Sequence, residues 1–179
     1  MHRTKWAAVA VAVIALGAAG CSTGDAGTGT SASPPSPRPK GTGPLTKEVV
    51  RTDLDTAAAD AGAPATVPEY AGVNEDAEAG SLRSCGVGFK GVGTETATVD
   101  VARYDAVVRE LRERDWQLAQ EPEKRKDKSG AIYSAHELLK QRGWTMVAEY
   151  MDQGDGVITL LAYDDACMKK IDANADPVG

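Results

Sequence analysis

The feature that most constrains this fold is a stretch, residues 22–44, that contains no large apolar side chain. It is built mainly from glycine, serine, threonine and alanine, and it ends in a proline-rich run from Ser33 to Lys40. Such a segment cannot bury enough apolar surface to offset the entropy that it would lose on ordering. We therefore expect a disordered linker over 21–44, a single globular domain over 45–170 and a flexible tail over 171–179.

The charge of the chain argues against one class of partner. The sequence has 20 Lys and Arg against 26 Asp and Glu, a formal net charge of −6. Asp25 is the only acidic residue before position 45, so the negative charge is concentrated in the predicted domain. Because nucleic acid is bound through positive charge, we expect no nucleic-acid partner.

Hydrophobic periodicity predicts an α+β fold. Apolar residues recur at helical spacing over 45–61 and again after Asp100, with Thr46 and Asp100 as N-caps. Four runs have strand character: 82–92, 132–140, 144–151 and 157–163. The stretch 136–141 could instead form one helical turn. This order predicts a two-layer sandwich, with two helices on one face of a mostly antiparallel sheet of about four strands.

The segment 62–81 is long and has no clear predicted element. It contains two prolines, several glycines and an acidic cluster of Glu75, Asp76 and Glu78. Loops of about 20 residues are uncommon in compact domains, and they are often functional. We expect this segment to border the ligand site of the protein.

The glycines between Gly86 and Gly91 fit the spacing G-x-G-x-x-G, but they lie inside a predicted strand. A dinucleotide site needs a helix to begin at such glycines. We therefore expect no cofactor and interpret the glycines as allowing a helix or loop to approach the sheet closely. No spacing typical of metal or catalytic residues occurs, so we expect neither. For a groove lined by aromatic side chains, Tyr133 and Trp144 across the predicted hairpin are the expected pair.

The N-terminus resembles the signal peptide of bacterial lipoproteins. A basic start with Arg3 and Lys5 precedes an uncharged run, 7–19, and Cys21 follows directly after small residues. The run is shorter than the roughly 20 residues that a membrane-spanning helix needs. A cysteine at this point is similar to the lipobox cysteine of that family, which favours leucine where this chain has Ala18.

The resemblance implies that residues 1–20 are a signal peptide, that Cys21 carries a lipid, and that the domain lies on the extracytoplasmic face of the cell membrane. The composition is similar to that of small lipoproteins of high-GC Gram-positive bacteria. We expect a non-enzymatic binding or structural domain whose partner is a protein, a cell-wall component or a small molecule. An extracytoplasmic hydrolase that acts on the cell envelope is the alternative.

Lipidation of Cys21 would leave Cys85 and Cys167 as an even pair in an oxidising compartment. Cys85 lies in the first predicted strand, and Cys167 lies just after the last. If these strands are neighbours in an antiparallel sheet, the Cα atoms come within the roughly 4.4–6.8 Å that a disulfide requires. The sequence therefore predicts a Cys85–Cys167 disulfide and places the first strand beside the last.

Overall fold

The structure, a computed structural model, describes residues 42–71, 77 and 81–174. The predicted signal peptide, Cys21 and the acidic residues Glu75, Asp76 and Glu78 lie outside the described residues. The described helices are α1 (Lys47–Asp60), α2 (Pro68–Ala71), a 3₁₀ turn (Leu82–Cys85), α3 (Val101–Glu113) and α4 (Asp165–Asn174). The described strands are β1 (Gly86–Val92), β2 (Gln117–Leu118), β3 (Glu123–Lys126), β4 (Ile132–Gln141), β5 (Trp144–Met151) and β6 (Val157–Asp164).

These six strands form one antiparallel sheet. The order is β1-β6-β5-β4-β2, and β3 also pairs with β4. The predicted α+β class and antiparallel sheet are confirmed, and residues 136–141 belong to β4 rather than to a helical turn. The expected count of about four strands and two helices is too low. For β2, β3 and α2 the reason is that each spans at most four residues, too few to show a hydrophobic period.

The helices α1 and α3 begin at the two predicted N-caps. The Thr46 hydroxyl accepts from the Val49 N–H at 3.5 Å, and the Asp100 carboxylate accepts from the Arg103 N–H at 2.8 Å. Each cap satisfies a backbone N–H that the first turn of a helix leaves unpaired. Both helices pack on the same face of the sheet, α1 against β1 and α3 against β4 and β5.

The core fills the space between these two helices and the sheet. Its largest fully buried side chains are Trp116, Trp144, Tyr104 and Phe89. The indole N–H of Trp116 donates to the Asp53 carboxylate at 3.0 Å, and that of Trp144 donates to the Leu45 carbonyl at 2.9 Å. Both buried indoles are therefore satisfied, as buried polar groups must be. The second bond also ties the start of the domain to the β4–β5 hairpin.

The helix α4 is not predicted from the sequence, and it crosses the expected domain boundary at 170. Asp164 caps it, because the Asp164 carboxylate accepts from the Cys167 N–H at 2.9 Å. A signal for this helix is present, since the capping aspartate is followed by Cys167, Met168 and Ile171 at helical spacing. The helical part of the expected tail therefore belongs to the folded domain.

The first and last strands are neighbours, as predicted. β1 pairs with β6 from Gly86 opposite Tyr163 to Val92 opposite Val157. Cys85 and Cys167 form a disulfide with their Cα atoms 5.5 Å apart. The predicted disulfide is confirmed. It links the 3₁₀ turn before β1 to α4, two elements that are 82 residues apart in the chain.

Candidate ligand-binding site at the β1 edge

The strand β1 is an edge of the sheet, and part of its outer side pairs with the segment before α2. The Lys90 N–H donates to the Thr66 hydroxyl at 3.1 Å, and the Val67 N–H donates to the Lys90 carbonyl at 2.9 Å. Among the described residues, these hydrogen bonds to Thr66 and Val67 pair the outer side of β1 with the segment before α2. They lie in the C-terminal half of the strand. In the described part of the chain, no further backbone pairing reaches the outer side of β1 over 86–89, and all four of these residues are buried.

Glycines in β1 let neighbouring groups approach the sheet closely. A Cβ atom at Gly88 would lie 3.4 Å from the Tyr70 ring, and one at Gly91 would lie 2.9 Å from the Pro64 carbonyl oxygen. A side chain at Gly91 would press on the segment before α2, whereas a Cβ atom at Gly88 would lie in contact with the Tyr70 ring. The interpretation of the glycine spacing as close approach of a neighbouring element is confirmed.

A cleft of about 250 Å³ opens beside this edge, on the face of the sheet away from α1 and α3. We call it the outer-face cleft, and it is lined by Tyr70, Leu82, Arg83, Gly86, Val87, Leu161 and Tyr163. Leu161 and Tyr163 point to this face because they alternate along β6 with core residues. Leu82 is 54% exposed at the cleft. The wall is mainly aromatic and aliphatic, with Arg83 as its charged member.

A second cleft, of about 500 Å³, lies between α1 and the same edge. We call it the α1 cleft, and it is lined by Lys47, Glu48, Arg51, Thr52, Asp55, Gly86 and Val87. Partial desolvation raises the pKa of the Asp55 carboxyl, and Arg51 opposes this. Hydrogen bonds from its own backbone N–H and from Thr46 lower the pKa of Glu48. With two cations and two carboxylates, this cleft can bind a polar group of either sign.

The two clefts meet at Gly86 and Val87, at the start of β1. The arrangement can hold an apolar group on one side of the strand and a polar group on the other. The site is not predicted from the sequence. The signal that points to it is the run from Gly86 to Phe89, a strand segment with two glycines and no charge.

The predicted groove of Tyr133 and Trp144 does not form. Trp144 is 1% exposed, with its indole bonded in the core. Tyr133 is 42% exposed, and its carbonyl accepts from the Asp152 N–H at 2.9 Å. Because the register pairs Trp144 with Gln141, nearly the whole length of β4 separates the two aromatic positions. Neither residue lines a cleft described above.

A buried carboxylate lies on the core face of β4. Glu137 is 5% exposed. Its charged neighbours are Lys124 of β3, Asp105 and Arg112 of α3, and the adjacent His136. Burial raises the pKa of the Glu137 carboxyl, and Lys124 acts against this rise. The Lys124 ammonium also lies 2.6 Å from a carboxylate oxygen of Asp105, so it is shared between two acidic groups.

Glu137→Gln is expected to raise the melting temperature at pH 7. The unfolded pKa is near 4.5 and the folded pKa is higher. The ionised carboxylate therefore destabilises the fold as pH rises through this window, and fully so above it. The difference in melting temperature between the variant and the wild type should disappear as the pH falls below 4.5. Thermal unfolding between about pH 3.5 and 8 checks this. Glu149→Gln, at an exposed position of β5, is the control and should change little. A gain that does not depend on pH would contradict the prediction.

Within the described residues, no group of three or more His, Cys, Asp or Glu side chains is placed to hold a metal ion. None of the described helices combines the length and the apolar character needed to cross a membrane.

No protein-family model matches this chain, and neither a curated protein nor a solved structure matches it. The geometry of the β1 edge is therefore the basis for a functional proposal.

Proposed function

We propose that this protein is a lipid-anchored, extracytoplasmic binding protein whose ligand site is the β1 edge with its two clefts. The observation that carries the binding function is that clefts of different chemistry open on both sides of the same strand segment. Ligand sites are concave and combine an apolar wall with a few polar groups. The walls come from α1, the 3₁₀ turn, β1 and β6, which are packed elements rather than isolated loops, although Tyr70 is contributed by the short helix α2.

The cysteines support the anchoring part of the proposal. The chain has three cysteines, and Cys85 and Cys167 are bonded to each other. Cys21 is then left over, directly after the small residues that resemble a lipobox. Disulfides persist mainly outside the cytoplasm, which agrees with an extracytoplasmic domain. Two or more acyl chains on one cysteine hold a protein stably on a membrane, since each buried CH₂ contributes about 0.8 kcal/mol.

Cys21→Ala is expected to abolish lipid incorporation and to remove the lipid-dependent membrane attachment. The physical reason is that this thiol is the proposed attachment point of every acyl chain. Metabolic labelling with a palmitate analogue, followed by membrane fractionation, measures both effects. A variant with Ala at both Cys85 and Cys167 is the control, and it should remain labelled. Labelled Cys21→Ala protein, or wild-type protein without lipid, would refute the anchoring proposal.

The ligand site is tested by a photo-crosslinking amino acid at Leu82, in cells with an intact envelope. Leu82 lines the outer-face cleft and is exposed, so we expect it to form a covalent adduct with an envelope component. The same amino acid at Lys128, an exposed residue after β3, is the control and should form none. If the adducts are absent or equal at both positions, the β1 edge is not the ligand site.

A further inference from the structure

The outer-face cleft combines an apolar wall with one positive charge. Tyr70, Leu82, Leu161 and Tyr163 supply the aromatic and aliphatic surface, and Arg83 is the charged residue among the described residues that line it. Arg83 is exposed, and within the described part of the chain its guanidinium has neither a hydrogen bond nor an ion pair. A guanidinium presents its N–H donors in a planar fork that matches an anionic oxygen group. The cleft therefore offers such a group a partner beside apolar surface.

The two aromatic walls of the cleft are held in place by their own contacts. The Tyr163 ring lies against Gly86, where a Cβ atom would be 3.2 Å from it. The Tyr70 ring lies against Gly88 in the same way, at 3.4 Å. The Lys90 ammonium is 5.3 Å from the centre of the Tyr70 ring, which is a cation–π contact. Walls that are fixed before a ligand arrives reduce the entropy that binding costs.

The backbone that carries Arg83 is also fixed. Its 3₁₀ turn is capped by Ser81, whose hydroxyl accepts from the Ser84 N–H at 3.3 Å. The turn ends at Cys85, which the disulfide ties to Cys167 of α4. The position from which the guanidinium extends is therefore set by a cap and a covalent bond.

The volume of the cleft sets the size of its ligand. The cleft measures about 250 Å³, whereas an engineered apolar cavity of about 150 Å³ holds one benzene molecule. A single ring, or an aliphatic group of similar size, therefore fits together with a short arm. An anionic group at the end of that arm can reach Arg83. A carboxylate carries one negative charge and so matches one arginine, whereas a phosphate monoester carries nearly two charges at pH 7.

We infer that the outer-face cleft binds small carboxylates that carry an aromatic ring or an aliphatic group of similar size, with the carboxylate paired to Arg83. This inference rests on the proposed function, because it names the class of ligand for the same site. Removal of the apolar group from water supplies most of the affinity. The charge-assisted pair with Arg83 orients the ligand and selects an anion over a neutral or cationic analogue of the same shape.

The probes for this inference are fluorophenylpropionate, its amide and fluorophenylpropylamine, which share one ring and differ in charge. Each is titrated by fluorine NMR against the full-length protein in phosphatidylcholine nanodiscs, with empty nanodiscs as the reference. We expect the carboxylate to bind with a dissociation constant of about 1 mM, as suits a ligand of this size. It should bind at least about threefold more tightly than the amide, a modest factor because Arg83 is exposed to water. The amine should bind most weakly.

Arg83→Gln should abolish the preference for the carboxylate over the amide and leave the affinity for the amide within about twofold of wild type. The unchanged amide affinity shows that the cleft is intact. Arg109→Gln removes a guanidinium that is 63% exposed on α3, outside both clefts, and is the matched control. It should keep the wild-type order of the three probes. Acetate, which lacks the ring, should not displace the carboxylate probe.

The salt dependence of the wild-type protein keeps the test decisive if Arg83→Gln does not fold. Raising the ionic strength should weaken binding of the carboxylate and leave that of the amide unchanged, because salt screens the charge pair alone. The inference is overturned if no probe binds at millimolar concentration, if the carboxylate and the amide bind equally, or if Arg83→Gln keeps the preference. Any of these results together with a specific envelope adduct at Leu82 would overturn the inference and leave the proposed function standing.

Discussion

Serine in place of both Cys85 and Cys167 is expected to lower the free energy of unfolding by about 4–5 kcal/mol. The disulfide joins residues that are 82 positions apart, and its loss returns the freedom of that loop to the unfolded chain. The total stability of a domain is about 5–15 kcal/mol, so the variant should be close to unfolding. Urea denaturation of the wild type and the variant measures the difference.

Reductant provides the matched control for this prediction. It should destabilise the wild-type protein to the level of the double serine variant and have no effect on the variant itself. Two titratable thiols at Cys85 and Cys167 in denatured, unreduced wild type would contradict the prediction. The bond also holds the 3₁₀ turn, whose residues Leu82 and Arg83 line the outer-face cleft. Reduction should therefore weaken ligand binding before the whole domain unfolds.

Gly156→Ala is expected to lower the free energy of unfolding by about 4 kcal/mol or more, which is near the upper end for single substitutions. Gly156 has a φ of +86°, and a Cβ atom there would overlap the carbonyl group of Val99. The left-handed backbone alone costs a residue with a Cβ about 1–3 kcal/mol. The overlap adds to this cost, because rotation of a side chain cannot relieve it. The two segments are also held together, since the Val99 N–H donates to the Asp155 carbonyl at 2.8 Å.

Gly154→Ala in the same turn is the matched control. Gly154 also has a positive φ, +59°, but a Cβ atom there would have nothing within 4 Å. Gly154→Ala should therefore lower the free energy of unfolding only by the strain of the left-handed backbone, about 1–2 kcal/mol. Urea denaturation of both variants compares the losses. Equal losses would show that the contact with Val99 does not matter and would contradict the prediction for Gly156.

Elements with a strong local signal could be predicted from the sequence. The caps Thr46 and Asp100 and the apolar period after each predict α1 and α3, because capping and amphipathicity depend on residues within two turns. β4 was harder to predict, and its second half also matched a helical turn. The structure shows why, since Glu137 and Gln141 occupy core positions and Leu138 lies on the opposite face. Buried polar side chains break the alternation by which a strand is recognised.

The expected aromatic groove could not be judged from the sequence, for a physical reason. Tyr133 and Trp144 both lie in strands of one hairpin, and aromatic side chains in such positions can face a groove or the core. The indole of Trp144 finds its partner in the Leu45 carbonyl, far away in the chain. A distant hydrogen bond of this kind leaves no local pattern. The expectation for Glu75, Asp76 and Glu78 stays a prediction, as does the lipid on Cys21.

By itself the sequence determined the α+β class, the two capped helices, the four long strands and, with Cys21 set aside for a lipid, the cysteine pair. These features follow from the local spacing of residues and from the number of cysteines in the chain. Only the tertiary structure decided that β1 lies at the edge of the sheet, beside β6. It also decided where the clefts lie, because their walls join α1, the 3₁₀ turn and β6. Those elements are far apart in the chain, and the packing of distant segments against one strand creates the site.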